Sequence, residues 1–381
     1  MTPYLFILGR TPELSFLELQ TILQGVRRLR TDVAIGSLSA SLDVISFLHR
    51  LGGTVKIARV WERTTERITG DLFLPYFTKS GQTFGMSVYG DRIQNTREIV
   101  REIKEKLRLK NIAVRFVEGR EGTVLSSVTV EKNKLREFIL AEGPDDTVIA
   151  ETIAVQNFED WNTRDYGRPH ADPGSGMLPP KVARMIVNLA CFPPGRTLLD
   201  PFCGMGTILG EALLSGWDEV IGSDQSIDAT RYAKENLDWL KSSYPEVSGR
   251  FRLLSLDATH ISAAIPGNSI SAIVTEPYMG PSLGGNTTAT HPNLTNEHIK
   301  NIIKGLEKLY IGCLRDWYSV LKPGGKIVMA FPRYHIGKRE YFVKRAIDRC
   351  EMLGYTIDHG PIEYSRPQAT VRREFFVFTK R

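Results

Sequence analysis

Apolar and polar residues recur along the chain with two different periods, and the switches between them outline its elements. Residues 4–8 form an apolar run closed by Gly9-Arg10, which predicts a first strand. After Thr11-Pro12-Glu13, the spacing of Leu14, Leu17, Ile22 and Leu23 suits an amphipathic helix, with Ser15 and Glu18 at the S-x-x-E spacing of a capping box. A strand over 33–38, a helix over 42–51 ending at Gly52-Gly53 and a strand over 55–61 follow. This β-α-β-α-β order predicts a small α+β unit of ferredoxin-like type over residues 1–65. In a second zone, 66–156, the pattern predicts strands over 84–89, 112–117 and 124–130, and a highly charged helix over 96–109.

Residues 157–180 have aromatics, arginines, prolines and glycines but no period, and read as an ordered or semi-ordered linker. Pro179-Pro180 opens a helix whose apolar face is Val182, Met185, Ile186 and Leu189. From Arg196 strands and helices alternate. Strands are expected at 197–199, 220–223, 251–255, 270–274 and 326–331, helices at 207–216, 227–240, 297–320 and 338–353, and a last strand at 374–379. Such alternation over 181–381 predicts an α/β fold with a largely parallel, doubly wound sheet, whose ligands lie beyond the carboxyl ends of the strands.

Composition narrows the field. The 381 residues allow two or three domains, and 42% apolar with 24% charged residues exclude a mostly disordered or fibrous chain. No stretch approaches the roughly 18 apolar residues of a membrane-spanning helix, and the first residues lack the pattern of a secretory signal. Cys191, Cys203, Cys313 and Cys350 form no C-x-x-C pair and have no histidine at ligand spacing. Reduced buried thiols, no metal site and a cytoplasmic location are therefore expected. The net charge of +6 suits a polyanionic partner. Residues 97–137 hold eleven basic and seven acidic residues, which serve equally for a nucleic-acid face or for a solvated helix with ion pairs such as Arg101–Glu105.

The chemistry concentrates at strand ends. Asp200-Pro201-Phe202-Cys203-Gly204-Met205-Gly206-Thr207 follows the first strand of the second half. Its glycines let a backbone bend sharply against a ligand, and the next helix points its amino end there. Gly210 comes four residues after Gly206, unlike the dinucleotide pattern, and Asp200 would repel a pyrophosphate. A carboxylate there suits a cationic amine, such as the methionine end of S-adenosylmethionine. Asp224, eighteen residues after Gly206, stands where a carboxylate accepts from ribose hydroxyls. Asp257 is placed to accept from an adenine amino group, with Ala258 supplying backbone. Either aspartate alone would serve as a helix cap; both, at successive strand ends after a glycine loop, point to a cofactor pocket. After the fourth strand, Glu276-Pro277-Tyr278 makes a rigid corner in which Glu276 can accept from an exocyclic amine and Tyr278 can stack on the base. The segment 280–296 is too long for a simple connection and reads as a substrate loop.

DPFCGMGT and the aspartate at the second strand end resemble the cofactor loop of Rossmann-like amino-group methyltransferases. Arg168-Pro169 and GMLPPKVARMIVNLA resemble the linker and preceding helix of THUMP-domain tRNA guanine-N2 methyltransferases, and YLFILGRTPELSFLEL resembles that family's ferredoxin-like head. The resemblance implies a class I methyltransferase domain over 181–381, a linker over 157–180, a THUMP-like RNA-binding domain over 66–156 and a ferredoxin-like domain over 1–65. It implies S-adenosylmethionine as cofactor, held by Asp200, Cys203, Gly204, Gly206, Thr207, Asp224, Gln225, Asp257 and Ala258. Catalysis would fall to Glu276, Pro277 and Tyr278, the substrate would be the D-arm guanosine 10 of tRNA, and some relatives need a small activating subunit. The sequence departs from the family's (D/N)-P-P-Y by an acid one methylene longer and by one proline fewer. Other readings are DNA adenine-N6 or cytosine-N4 methylation, a tRNA-binding protein with a weakened methyltransferase domain, and a nicotinamide oxidoreductase, which rests on the fold and glycine loop alone.

Overall fold

The strand Thr2–Leu8 (β1), with its last five residues all buried, organises the first part of the molecule. The computed structural model describes residues 1–119, 123–171, 177–190, 196–281, 296–336, 339–365 and 371–381, and the chain divides into two compact units, 1–160 and 161–381. In the first, β1 pairs antiparallel with Val33–Leu38 (β3) on one side and Thr54–Thr64 (β4) on the other, and Arg27–Arg30 (β2) pairs with β3. Helices Pro12–Ile22 (α1) and Val44–His49 (α2) complete a β-α-β-β-α-β order. Ser15 and Glu18 form no capping box. Helix α1 begins at Pro12, so Ser15 lies one turn inside and donates to the Thr11 carbonyl (2.7 Å). Glu18 is buried and accepts from the amides of Gly52 (2.8 Å) and Gly53 (2.9 Å), tying α1 to the turn before β4.

The same sheet continues past β4. Thr147–Val155 (β8), Arg136–Glu142 (β7), Gln82–Tyr89 (β5) and Val114–Phe116 (β6) extend it to eight strands in the order β2-β3-β1-β4-β8-β7-β5-β6. Residues 1–65 and 66–156 thus share one ladder. Helix Thr96–Leu109 (α3) buries Ile99, Val100, Ile103 and Leu107 and leaves its charges outside. The strand expected over 124–130 is instead a loop and the short helix Ser127–Lys132 (α4). The Ser126 hydroxyl accepts from the Thr129 amide (3.1 Å), so local capping outweighs the valines' strand preference. Residues 157–180, which the sequence offers as an ordered or semi-ordered linker without period, contain the helix Phe158–Tyr166 (α5), begun by Asn157 accepting from the amides of Glu159 and Asp160 (3.1 Å each).

In the second unit, Pro180–Ala190 (α6) precedes Thr197–Asp200 (β9), Thr207–Leu214 (α7), Glu219–Asp224 (β10), Ile227–Ser243 (α8), Arg250–Ser255 (β11) and Ile270–Thr275 (β12). Asn296–Val320 (α9), Leu321–Ile336 (β13), Arg339–Phe342 (β14), Lys344–Asp348 (α10), Tyr355–Tyr364 (β15) and Val371–Lys380 (β16) follow. The strand order is β11-β10-β9-β12-β13-β16-β15, parallel as far as β13, with β16 antiparallel to both of its neighbours. The long helix expected over 338–353 is broken. Residues 339–342 turn back as β14 along β13, leaving only α10 and one tight turn after it. Helix α9 lays Ile299, Ile303, Leu306, Tyr310, Leu314 and Trp317 into the core beside β12 and β13. Burial of each such side chain stabilises the unit by roughly 1.5–3 kcal/mol.

Candidate active site

Strand β9 ends in the buried carboxylate of Asp200, which is 1% exposed. Its Oδ1 accepts from the Thr275 hydroxyl (2.7 Å) and from the Phe202 amide (3.2 Å), linking the ends of β9 and β12. Burial pushes its pKa up to about 7; the Thr275 and Phe202 hydrogen bonds oppose this, and the charges of Asp224 and Glu276 add to it. Asp200 therefore sits in the field of two further carboxylates, each at a later strand end.

Beyond Asp200 the chain turns through Gly204 (φ +47°) and Gly206 (φ +82°), and Gly206 begins α7. A side chain at either would be strained. A Cβ placed on Gly204 would meet no heavy atom within 4 Å, so this face of the loop is open. Asp224, at the end of β10, accepts from the Gly204 amide (3.1 Å) through Oδ2 and from the Ser226 amide (2.9 Å) through Oδ1. Each carboxylate oxygen accommodates a further donor, so the arrangement suits a ribose diol. Cys203 is buried, and burial pushes its thiol well above the usual range, which leaves it inert. The Thr207 hydroxyl accepts from Arg168 (2.6 Å). Asn236 of α8 donates to the carbonyls of Met205 and His170 (3.0 Å each) and accepts from the His170 amide (2.9 Å), sewing the segment before α6 onto the glycine loop.

Asp257 takes the start of the turn Ala258–Ala263. Its Oδ1 accepts from the Thr259 amide and hydroxyl (2.8 Å each), and these bonds, with one from Gln225, hold its carboxyl below the usual range. Asp257 thus caps a helical turn, and through Gln225 it reaches the segment after β10. The Ala258 carbonyl accepts from Trp317 Nε1 (2.8 Å), so it faces the core.

At the end of β12, Glu276 and Pro277 are part-buried and buried, whereas Tyr278 is 55% exposed, its ring available for stacking. The corner is clamped from behind. The Tyr310 hydroxyl donates to the Tyr278 carbonyl (2.7 Å) and the Tyr334 hydroxyl to the Met279 carbonyl. Burial raises both phenols far above the ordinary tyrosine value, so both stay protonated and donate. Gly280 (φ +95°) passes so close to the Tyr334 hydroxyl that a Cβ there would sit 1.9 Å from it. The Glu276 carboxylate accepts from Arg373 Nε of β16. Arg373, Asn236 and the two tyrosines are site residues that sequence reasoning missed. Arg372-Arg373 stands out only as a basic pair before a strand, and the tyrosines carry no local signal at all. The expected substrate loop over 280–296 lies largely outside the described residues, as does Cys191; the other three cysteines are free and buried. Among the described residues no cluster of His, Cys, Asp or Glu is placed to hold a metal, and no helix is long and apolar enough to cross a membrane.

A glycine loop after the first parallel strand, acids at the following strand ends and an antiparallel final strand define a Rossmann-like methyltransferase fold. Residues 168–341 match the family UPF0020, described as an RMKL-like methyltransferase domain. Over 189 residues the chain is 34% identical to a tRNA (guanine(10)-N2)-dimethyltransferase of Methanothermobacter thermautotrophicus, a match covering 49% of this chain and 48% of that protein. It is 31% identical over 195 residues to a protein of the same name from Methanocaldococcus jannaschii, again covering 49% and 48%. The chain thus matches about half the length of these curated relatives. In fold it is similar along its full length to the crystal structure of TrmN from Thermus thermophilus, with a TM-score of 0.57 and 18% identity.

Proposed function

We propose that the protein transfers a methyl group from S-adenosylmethionine to the exocyclic N2 amine of a guanosine in tRNA, with guanosine 10 of the D arm the favoured target. The observation that supports this reading is the placement of the Glu276-Pro277-Tyr278 corner directly after Thr275, whose hydroxyl donates to the Asp200 carboxyl at the glycine loop (2.7 Å). The similarity to two tRNA (guanine(10)-N2)-dimethyltransferases over about half of the chain supports the choice of amine and of substrate. The open face at Gly204 and the anchored Asp224 fit the cofactor, whose sulfonium supplies an electrophilic methyl group. Asp224 would hold the ribose. Asp200 would meet the ammonium group, and Gln225 and Asp257 the adenine side.

The amine lone pair of guanine is delocalised into the ring, so the nitrogen is a poor nucleophile until it is positioned and its charge compensated. Glu276 accepts an N–H bond from the amine and stabilises positive charge as it develops on nitrogen. It also helps to hold that nitrogen about 3–3.5 Å from the reacting carbon. The same carboxylate, or water beside it, then takes the proton. An amine paired in a stem is unreachable, so the base must be flipped out, and the exposed Tyr278 ring is its stacking platform. The first unit, with residues 1–65 as its ferredoxin-like part and 66–156 as a THUMP-like part, would grip the RNA by phosphate contacts.

Incubation with unmodified tRNA transcripts and S-adenosylmethionine, followed by nucleoside mass spectrometry, should show N2-methylguanosine or its dimethyl form. Glu276→Ala should lose about a hundredfold or more in rate while binding S-adenosylhomocysteine normally. Methyl incorporation into duplex DNA instead of tRNA, or full activity of Glu276→Ala, would overturn the reading.

A further inference from the structure

A glutamate has three torsions to fix before its carboxylate can be held against an incoming amine, one more than an aspartate. At this corner the two tyrosine hydroxyls fix main-chain carbonyls. The Glu276 side chain itself is met from another direction. Arg373 arrives on β16, directly opposite Pro332 of β13 and Tyr364 of β15, and its Nε donates to Glu276 Oε1. Both side chains are mostly enclosed, at 15% and 17% exposure, where ion pairs are less screened than at the surface. The guanidinium is in turn seated 5.8 Å from the centre of the Tyr364 ring. An unbroken line of contacts therefore runs from β15 through Arg373 to the carboxylate. The pair joins the end of a parallel strand to the antiparallel extension of the sheet. Glu276 lies within the field of the Asp200 carboxyl, and the Arg373 guanidinium is a cation held beside it.

Resting on the methyl-transfer reading, we propose that Arg373 is a positioning residue for that reaction, holding the Glu276 carboxylate at the angle and depth from which it meets the substrate amine. The acid and the arginine then form a matched pair, in which the contact from β16 holds the carboxylate. Arg373 touches neither the methyl donor nor the RNA in this scheme. Its effect is confined to the chemical step.

The test compares wild type with Arg373→Lys, Arg373→Gln, Arg373→Met and Glu276→Ala, using an unmodified tRNA transcript and S-adenosylmethionine. Steady-state kinetics are read together with calorimetric binding of S-adenosylhomocysteine and thermal melting. The neutral variants should lower kcat by about 10–100-fold, as misplacement of a reacting group by about 1 Å does. Their KM for tRNA and Kd for S-adenosylhomocysteine should stay within about twofold. Lysine keeps the charge but not the planar fork, so Arg373→Lys should recover a substantial part of kcat. Should a neutral variant fail to fold, the lysine variant alone decides, by a lowered kcat at unchanged KM. The inference is overturned if Arg373→Gln or Arg373→Met keeps kcat within twofold, if Arg373→Lys falls as far as Arg373→Met, or if the loss appears in KM for tRNA or in cofactor affinity. An inactive Glu276→Ala beside a fully active Arg373→Met sinks this inference alone, whereas an active Glu276→Ala sinks the reading beneath it.

Discussion

At the scale of single residues, Asp200 couples the folded state to pH. Its carboxyl is lifted to about 7 chiefly by burial, against about 4 in an unfolded chain. The folded protein therefore binds a proton that the unfolded chain has released between those values. The stabilisation is complete below about 4 and is lost as the pH rises through about 7, at no more than about 1.4 kcal/mol per pH unit. Thermal melting of the ligand-free protein should accordingly show a falling Tm between pH 5 and 8. Asp200→Asn keeps an acceptor for Thr275 and Phe202 and cannot ionise, so its Tm should be flatter over the same range. Equal slopes in the two proteins would show that this carboxyl does not govern the trend. The glycines and acids of this region are visible in sequence because each must occupy a fixed place relative to a strand end. Arg373 is not, since 97 residues separate it from Glu276 and only the pairing of β13 with β16 brings them together.

Among elements, the glycine loop depends on a side chain from a helix that makes no chemistry of its own. Asn236→Ala deletes three hydrogen bonds to His170 and Met205 from a buried position, which should cost about 2–4 kcal/mol in urea unfolding. It should also weaken S-adenosylhomocysteine binding severalfold, and calorimetry showing unchanged affinity would exclude a role for this tie in shaping the loop. Elements with strong internal signals were legible: α3, β3 and the parallel strands of the second unit carry their periodicity in their own residues. Elements made by their neighbours were not. RRLR is a strand because β3 offers it a ladder. Residues 124–130 look like a strand, yet Ser126 caps a helix there. Residues 339–342 look helical by composition and pair with β13 instead. In each case a capping or ladder hydrogen bond decides what local propensity leaves open.

At the level of the whole molecule, the net charge of +6 belongs with the proposal of an RNA substrate, whereas α3 pairs Arg97 with Glu118, Arg101 with Glu105 and Lys106 with Asp71. Binding to tRNA should weaken by about tenfold or more as salt is raised from 100 to 300 mM, because phosphate contacts release counterions. Affinity for S-adenosylhomocysteine should change far less, and filter binding beside calorimetry reads the two. A salt-insensitive RNA affinity would remove the electrostatic part of the argument. The continuous eight-stranded sheet of the first unit also means that a cut near residue 65 would strip β8 from β4 rather than separate two independent pieces.

The place of β16 in the second sheet sets an order of events during synthesis. This strand leaves the ribosome after the other described strands of its sheet, yet it lies inside the sheet, between β13 and β15. Until it inserts, β13 keeps a bare hydrogen-bonding edge, a surface that invites wrong partners. A nascent chain can complete its glycine loop long before that moment, whereas Arg373 can reach Glu276 only once β16 has inserted.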